Sequence, residues 1–263
     1  MLPLRDQLPS RRTPYVTYAL LGLNVLVYLW QKARPAAEQM GVVMEHGVVP
    51  ARFLVDPVAQ LPTVLSSMFM HSPGTLWHLG GNMLFLWIFG DNVEDALGPK
   101  RFVAFYLLGG LAAALAQVFV GPSSLVPMVG ASGAIAAVLA AYGSLYPWSP
   151  VTVLNPIMPL WLFGLITFQL PAWLVILEFF VINLFNGVVS IGATGGGVAF
   201  FAHLGGFLAG LLLVRLLFKP ERRDSPRWRG LKGPPARQVL HRRRPPRRRV
   251  DPRVIDDPWL GPR

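Results

Sequence analysis

Six strongly polar side chains lie within or beside long apolar stretches of this chain: His78, Asn82, Ser132, Glu178, Asn183 and His203. A Ser hydroxyl is a weak nucleophile until a base removes its proton, and His is the usual base. Attack on a peptide carbonyl creates an oxyanion, which an Asn amide, a His ring N–H or the backbone N–H at a helix N-terminus can stabilise. The set therefore predicts peptide hydrolysis by a Ser132–His203 dyad, with Asn82, His78 and the Ser132 amide binding the oxyanion.

The helices that hold these side chains are expected to lie in a membrane. The chain has 263 residues, of which 53% are hydrophobic and only 14% are charged, whereas a soluble domain carries about 25% charged residues. The stretch Phe102–Leu177 contains no Asp, Glu, Lys or Arg. A bilayer core needs roughly 20 apolar residues per helix, and backbone in lipid must satisfy its own hydrogen bonds. We therefore expect an all-α membrane protein, a polytopic bundle of six transmembrane helices.

Three regions are predicted: an N-terminus of residues 1–13, a six-helix domain of residues 14–218 and a tail of residues 219–263. The stretch Val151–Gln169 is apolar and about as long as a span, but Pro156 and Pro159 interrupt it. We therefore interpret it as a loop or interfacial element. The predicted spans are Pro14–Trp30, Leu76–Phe89, Phe102–Val120, Ser132–Tyr146, Pro171–Val189 and Val198–Phe218.

The distribution of charge predicts the orientation. Basic residues precede the first span, Lys100 and Arg101 lie between the second and third, and a basic block follows the sixth. Since cytoplasmic loops collect Lys and Arg, we expect a multi-pass protein of the cell membrane with both termini cytoplasmic and the site toward the outer side. Alternatively, the first span is a signal peptide, although no good cleavage site follows it. If Val151–Gln169 crossed the membrane, the basic tail would lie outside.

The tail is strongly basic. It holds 15 of the 24 Lys and Arg but only five of the 13 Asp and Glu. Its Arg- and Pro-rich composition cannot bury a core and predicts disorder. We interpret it as a solvated anchor attracted to anionic lipid headgroups. Nucleic-acid binding is not favoured, because neither interleaved aromatic residues nor a known module accompanies the charge.

The direction of the predicted spans brings the polar residues to one depth. The second, fourth and sixth spans run the same way, and each carries its polar residues near its start. On the sixth, His203, Gly206 and Gly210 share a face, and a stripe of small residues follows Ser132 on the fourth. Small faces allow close helix packing in lipid, so we expect these two stripes to meet and bring Ser132 beside His203.

Other chemistries are less favoured. The chain has no Cys, which excludes a thiol nucleophile and disulfides. Glu178 could complete a triad only if its helix placed it close, and it is expected in the inner half or near the middle of its span, so we expect a dyad. A zinc site of His71, His78 and His203 lacks a well-placed carboxylate, and no metal or cofactor is expected. A transporter using intramembrane His and Glu would predict repeated halves, which the sequence does not contain.

Several motifs together resemble the rhomboid family of intramembrane serine proteases. Gly130–Gly133 resembles the family's Gly-x-Ser-Gly motif, and His78–Asn82 resembles its His-x-x-x-Asn motif. Ala202–Gly210 resembles its last catalytic helix, and Gly90–Gly98 resembles the segment after its second span. The likeness covers roughly residues 14–218 and leaves out the tail.

The resemblance implies roles for particular residues. Ser132 would be the nucleophile and His203 the general base, with Asn82 and His78 stabilising the oxyanion. Glu94 would be structural, tying the loop after the second helix. The implied partners are transmembrane protein substrates within the lipid bilayer. An inactive relative would lack the Ser or the His, and both are present.

The resemblance also implies moving parts and leaves two departures. Gly206 and Gly210 would be packing residues, the span Pro171–Val189 a lateral gate and Ser190–Gly197 a mobile cap. His71 resembles a further family His, but its spacing to His78 is longer, so we interpret it as structural. The family's Trp-Arg pair in the first outer loop is not evident around Pro50–Phe53. A water-filled cavity open to the outside is predicted, lined by His78, Asn82, Ser132 and His203, with Gln117 or Ser67 nearby.

Overall fold

A computed structural model describes residues 1–190 and 199–218. The predicted tail, residues 219–263, and most of the predicted cap lie outside the described residues. The elements, in chain order, are β1 (Pro3–Asp6), α1 (Tyr15–Lys32), α2 (Ala36–His46), α3 (Pro50–Val55), α4 (Pro57–Ser67), α5 (Leu76–Leu97), α6 (Pro99–Val120), α7 (Ser132–Leu145), β2 (Pro150–Leu154), a 3₁₀ helix (Met158–Phe163), β3 (Thr167–Pro171), α8 (Ala172–Val189) and α9 (Phe200–Leu217).

Apolar helices dominate the architecture. Within the described ranges, three helices are long and apolar enough to cross a membrane: α6, α8 and α9. The apolar helix α7 is shorter, at 14 residues, while α1 and α5 have 18 and 22 residues. These helices make the chain a membrane protein of mostly helical architecture.

Helix α7 lies at the centre of the bundle, because its residues 133–142 are all buried. Helices α6, α7 and α9 pack most extensively against one another. The residues at the contact of α9 with α7 are small. A Cβ atom placed on Gly206 would overlap the Gly133 carbonyl, and one placed on Gly210 would lie 2.5 Å from the Ala137 carbonyl oxygen. Glycine therefore allows α9 to approach the backbone of α7.

The fold is mostly helical, as expected, but it is not all-α, because three short strands form an antiparallel sheet in the order β1–β2–β3. Val151 pairs with Asp6 on one side and with Leu170 on the other. The stretch expected to be a loop or interfacial element thus contains most of a β-hairpin, with the 3₁₀ helix at its tip. Its prolines disfavour an α-helix, and the β-branched run from Val151 to Val153 favours a strand.

The N-terminal strand is tied into the helical bundle through Asp6. The Tyr142 hydroxyl donates to Asp6 Oδ2 at 2.6 Å, and Asn92 Nδ2 donates to the same oxygen at 3.0 Å. Burial raises the pKa of Asp6 to about 7, although the hydrogen bond from Tyr142 opposes the rise. Asp6 therefore connects β1 to both α5 and α7.

Glu94 connects helix α5 to the start of helix α1. Helix α5 continues past its predicted end at Phe89 to Leu97, so Glu94 lies within the helix rather than in a loop after it. Its carboxylate accepts hydrogen bonds from the backbone N–H groups of Val16 and Thr17, at 3.0 and 2.8 Å, and from the Thr17 hydroxyl at 2.8 Å. Because the first N–H groups of a helix lack partners within it, Glu94 stabilises the start of α1.

Candidate active site

Ser132 is the first residue of α7 and is introduced by an unusual backbone turn. Gly130 has φ +124°, a conformation that residues with a Cβ rarely adopt. The Gly130 N–H donates to the carbonyl of Ser67 at 2.8 Å, which holds the turn. As a result, the Ser132 side chain and amide lie at the N-terminal end of α7, where the helix dipole favours negative charge.

His203 lies in the first turn of α9 and contacts Ser132. Its Nε2 is 2.7 Å from Ser132 Oγ, within the 2.6–3.2 Å reach of a general base. The close packing of α7 against α9 brings together two side chains that are 71 positions apart in the sequence. His203 is buried, with 9% of its surface exposed, so this contact lies within the protein.

The second nitrogen of His203 contacts Asn183 of α8. His203 Nδ1 is 2.6 Å from Asn183 Oδ1, and Asn183 Nδ2 donates to the Phe179 carbonyl at 2.8 Å. In the sequence, Asn183 was noted only as a polar residue within a span. No residue was predicted to act as a third partner beside Ser132 and His203. The signal in the sequence that could have revealed a role for Asn183 was a polar amide within a mostly apolar span.

His78 and Asn82 lie on the first turns of α5 and face the backbone just ahead of Ser132. A methyl group placed on Gly130 would lie 2.8 Å from His78 Nε2 and 3.6 Å from Asn82 Nδ2. The Ser72 N–H donates to His78 Nδ1 at 3.2 Å, so a neutral His78 ring carries its proton on Nε2. Both residues therefore present N–H donors on the side of Gly130.

His71 contacts Asn82, a contact that the sequence reasoning missed when it treated His71 as structural. Asn82 Nδ2 donates to His71 Nε2 at 3.0 Å, and His71 Nδ1 donates to the Phe69 carbonyl at 3.2 Å. Burial, with a smaller effect of the nearby His78 ring, lowers the pKa of His71 to about 4. The His71 ring is thus neutral near pH 7, and its Nε2 accepts one of the two Asn82 N–H groups.

The backbone of His71 is held in turn by a side chain of α1. Gln31 Nε2 donates to the His71 carbonyl at 2.6 Å, and Gln31 Oε1 accepts from the His71 N–H at 3.2 Å. Both Gln31 and His71 are fully buried. A polar residue buried near the end of α1 therefore supports the loop that orients Asn82.

The remaining predicted residues have other contacts. Glu178 lies near the start of α8, where its carboxylate binds the Met1 amino group. Gln117 Oε1 accepts from the Ala202 N–H at 3.2 Å, which supports the turn of α9 that carries His203. Among the described residues, no three His, Asp or Glu side chains are close enough together to hold a metal ion.

Comparison with known proteins identifies relatives that share most of this chain. The protein from Saccharomyces cerevisiae named Rhomboid protein 1, mitochondrial, is 29% identical over 209 residues, which is 75% of this chain and 51% of that protein. The human protein named Presenilin-associated rhomboid-like protein, mitochondrial, is 27% identical over 203 residues, which is 74% of this chain and 46% of that protein. Rhomboid-like protease 3 of Toxoplasma gondii is 28% identical over 169 residues, 64% of this chain and 56% of that protein.

The chain thus spans about half the length of the curated relatives that it matches. A family model described as the Rhomboid domain matches residues 58–220, which is more than half of the chain and includes α5 to α9. The chain therefore belongs to the rhomboid family.

Proposed function

We propose that this protein is an intramembrane serine endopeptidase that hydrolyses peptide bonds in or near the transmembrane segments of other membrane proteins. The observation that carries the proposal is the 2.7 Å distance between Ser132 Oγ and His203 Nε2. A hydroxyl and an imidazole at this distance, at the start of two adjacent helices, form a nucleophile with its base.

In the proposed reaction, His203 Nε2 takes the proton of Ser132 as Oγ attacks the substrate carbonyl. The tetrahedral intermediate carries an oxyanion, which binds the Ser132 amide and N–H groups of Asn82 and His78. Collapse of the intermediate breaks the peptide C–N bond while His203 gives its proton to the leaving amine. Water then attacks the acyl ester in the same manner, with His203 again as base, and releases the acid and free Ser132.

We propose six spans, with both termini on one side of the membrane and the site near the opposite side. The six helices would be α1, α5, α6, α7, α8 and α9, where α8 would act as a lateral gate for the substrate. The attraction of the tail to anionic headgroups is part of this proposal, because the tail is basic. Two of the relatives are named as mitochondrial, so a cell membrane with cytoplasmic termini stays a prediction.

The test is cleavage of a transmembrane substrate by purified protein in detergent, comparing wild type with Ser132→Ala and His203→Ala. Each variant should lose activity by several orders of magnitude, because nucleophile and base act as one unit. Matched controls are Ser124→Ala and His46→Ala. In the wild type the Ser124 hydroxyl accepts from the Val126 N–H, and the His46 ring packs on Trp30. Both should cleave at the wild-type rate. Undiminished cleavage by Ser132→Ala would remove the proposed nucleophile.

A further inference from the structure

The amide of Asn183 has a defined orientation, because its two ends have different partners. Its Nδ2 lies 2.8 Å from the Phe179 carbonyl oxygen, which accepts hydrogen bonds but cannot donate them. The amide oxygen must then be the end that lies 2.6 Å from His203 Nδ1. An amide oxygen also only accepts, so the proton in this contact belongs to His203 Nδ1.

This orientation decides which nitrogen of His203 is the base. A neutral imidazole carries one proton, and with that proton on Nδ1 the Nε2 lone pair is free to accept from Ser132. The alternative tautomer would place an N–H opposite the Ser132 hydroxyl, 2.7 Å away, and could not take its proton. The bond to Asn183 therefore favours the tautomer that hydrolysis requires.

Only a narrow face of helix α8 is buried in its C-terminal half, and that face carries Asn183. In its C-terminal half, Asn183 and Gly187 are buried, whereas most of the other residues are exposed. Asn183 and Gly187 are one helical turn apart, so both lie on the face toward α9. The Phe179 ring, a turn earlier, has its centroid 5.9 Å from that of His203. The position of α8 thus determines whether His203 keeps its acceptor.

We infer that Asn183 is a positioning residue that completes a Ser132–His203–Asn183 arrangement, so that α8 takes part in activating the nucleophile. This inference rests on the proposed function and extends the predicted dyad. A neutral amide holds the ring and its tautomer without the charge that a carboxylate would bring into the membrane.

The experiment measures how fast a fluorophosphonate probe labels Ser132 in the full-length protein. In this reaction Ser132 Oγ bonds to phosphorus, fluoride leaves and the hydroxyl proton passes to His203. Asn183→Leu keeps the number and branching of the side-chain heavy atoms but removes the acceptor, and it should label about 10–100-fold more slowly, a part of the rate that a general base supplies. Asn183→Asp keeps an acceptor oxygen for His203 Nδ1 but loses the bond to the Phe179 carbonyl, so it should label faster than Asn183→Leu and more slowly than wild type.

The matched control is Asn24→Leu. Asn24 is also buried in a helix, and its Nδ2 donates to the Leu20 carbonyl at 2.8 Å, the same bond that Asn183 makes with Phe179. It should label at the wild-type rate. In protein with ¹⁵N-labelled His, the resonances of His203, identified by their loss in His203→Gln, should report the Nδ1–H tautomer in wild type and a shift toward Nε2–H in Asn183→Leu.

The labelling rates distinguish failure of the proposed function from failure of the inference about Asn183. Wild type that is not labelled at Ser132 would refute the proposed function itself. If Ser132 is labelled normally but Asn183→Leu reacts as fast as Asn24→Leu, the function stands and the inference fails. Equally slow labelling of Asn183→Leu and Asn183→Asp, or an unchanged His203 tautomer in Asn183→Leu, would reduce Asn183 to a packing residue and overturn the inference.

Discussion

Substitution of Gly210 by Ala should separate the two helices that carry the candidate dyad. The added Cβ would lie 2.5 Å from the Ala137 carbonyl oxygen and 2.6 Å from its Cα. Both atoms belong to the backbone of α7, so no side-chain rotation can relieve the overlap. Ordinary carbon–carbon contact begins near 3.5 Å, which requires the helices to part by about 0.9 Å at this point.

This displacement determines the loss of stability. Overpacking of this kind destabilises a protein by about 1–3 kcal/mol, and the gain in helix propensity from Gly to Ala returns about 0.5–1 kcal/mol. The central values leave a net loss of about 1.3 kcal/mol, which should lower the unfolding temperature by about 2.5–5 °C. If part of the movement reaches His203, two turns earlier on the same face, the Ser132–His203 contact lengthens beyond 3.2 Å and kcat should fall about 10- to 100-fold.

The assay combines thermal unfolding in detergent with substrate cleavage at a temperature where every variant is folded. Gly22→Ala and Gly80→Ala are matched controls, because a Cβ at either glycine meets no atom within 4 Å. Each should retain wild-type activity with equal or slightly higher stability. Wild-type stability in Gly210→Ala would refute the packing argument. Lower stability with full activity would show that the spacing of α7 and α9 does not control the reaction.

Three further predictions concern the groups around this core. Asn82→Ala should lower kcat about 10²–10³-fold, measured at a temperature where the variant is folded, as expected for an oxyanion donor, and unchanged kcat would remove it from that role. Glu94→Gln should lower the free energy of unfolding by about 1.5–3 kcal/mol through weakened bonds to the start of α1, measured as a lower unfolding temperature; an unchanged temperature would contradict this. Because the pKa of Asp6 rises from 3.8 to about 7 on folding, Asp6 takes up a proton in the folded state, so its contribution to stability should fall as pH rises from about 4 to 7. Asp6→Asn should reduce that fall in unfolding temperature, and an unchanged pH profile would contradict the assignment.

Local chemistry in the sequence was enough to indicate Ser132 and His203 as candidates for the site. Ser132 and His203 were identified because their types suit acyl transfer and their predicted helices run in the same direction, and the structure has their side chains 2.7 Å apart. The small residues Gly206 and Gly210 pointed to the helix faces that pack against each other. Long apolar runs also indicated the membrane, because hydropathy and length are properties of the chain itself.

The sheet was missed because its strands are far apart in the sequence. Residues Pro3–Asp6 pair with a strand that begins at Pro150, and no local pattern specifies that pairing. Proline positions correctly argued against a helix between α7 and α8, but they could not distinguish a loop from a hairpin. The N-terminal region was therefore expected to be separate from the domain on which it packs.

The apolar character of the helices and the set of side chains able to do chemistry follow from residue type and short-range spacing alone. The contacts of Asn183 with His203 and of His71 with Asn82 arise only in the folded bundle. Both contacts depend on how each helix or loop is rotated and shifted against its neighbours. That placement is set by the summed packing of the whole bundle, which no single segment encodes.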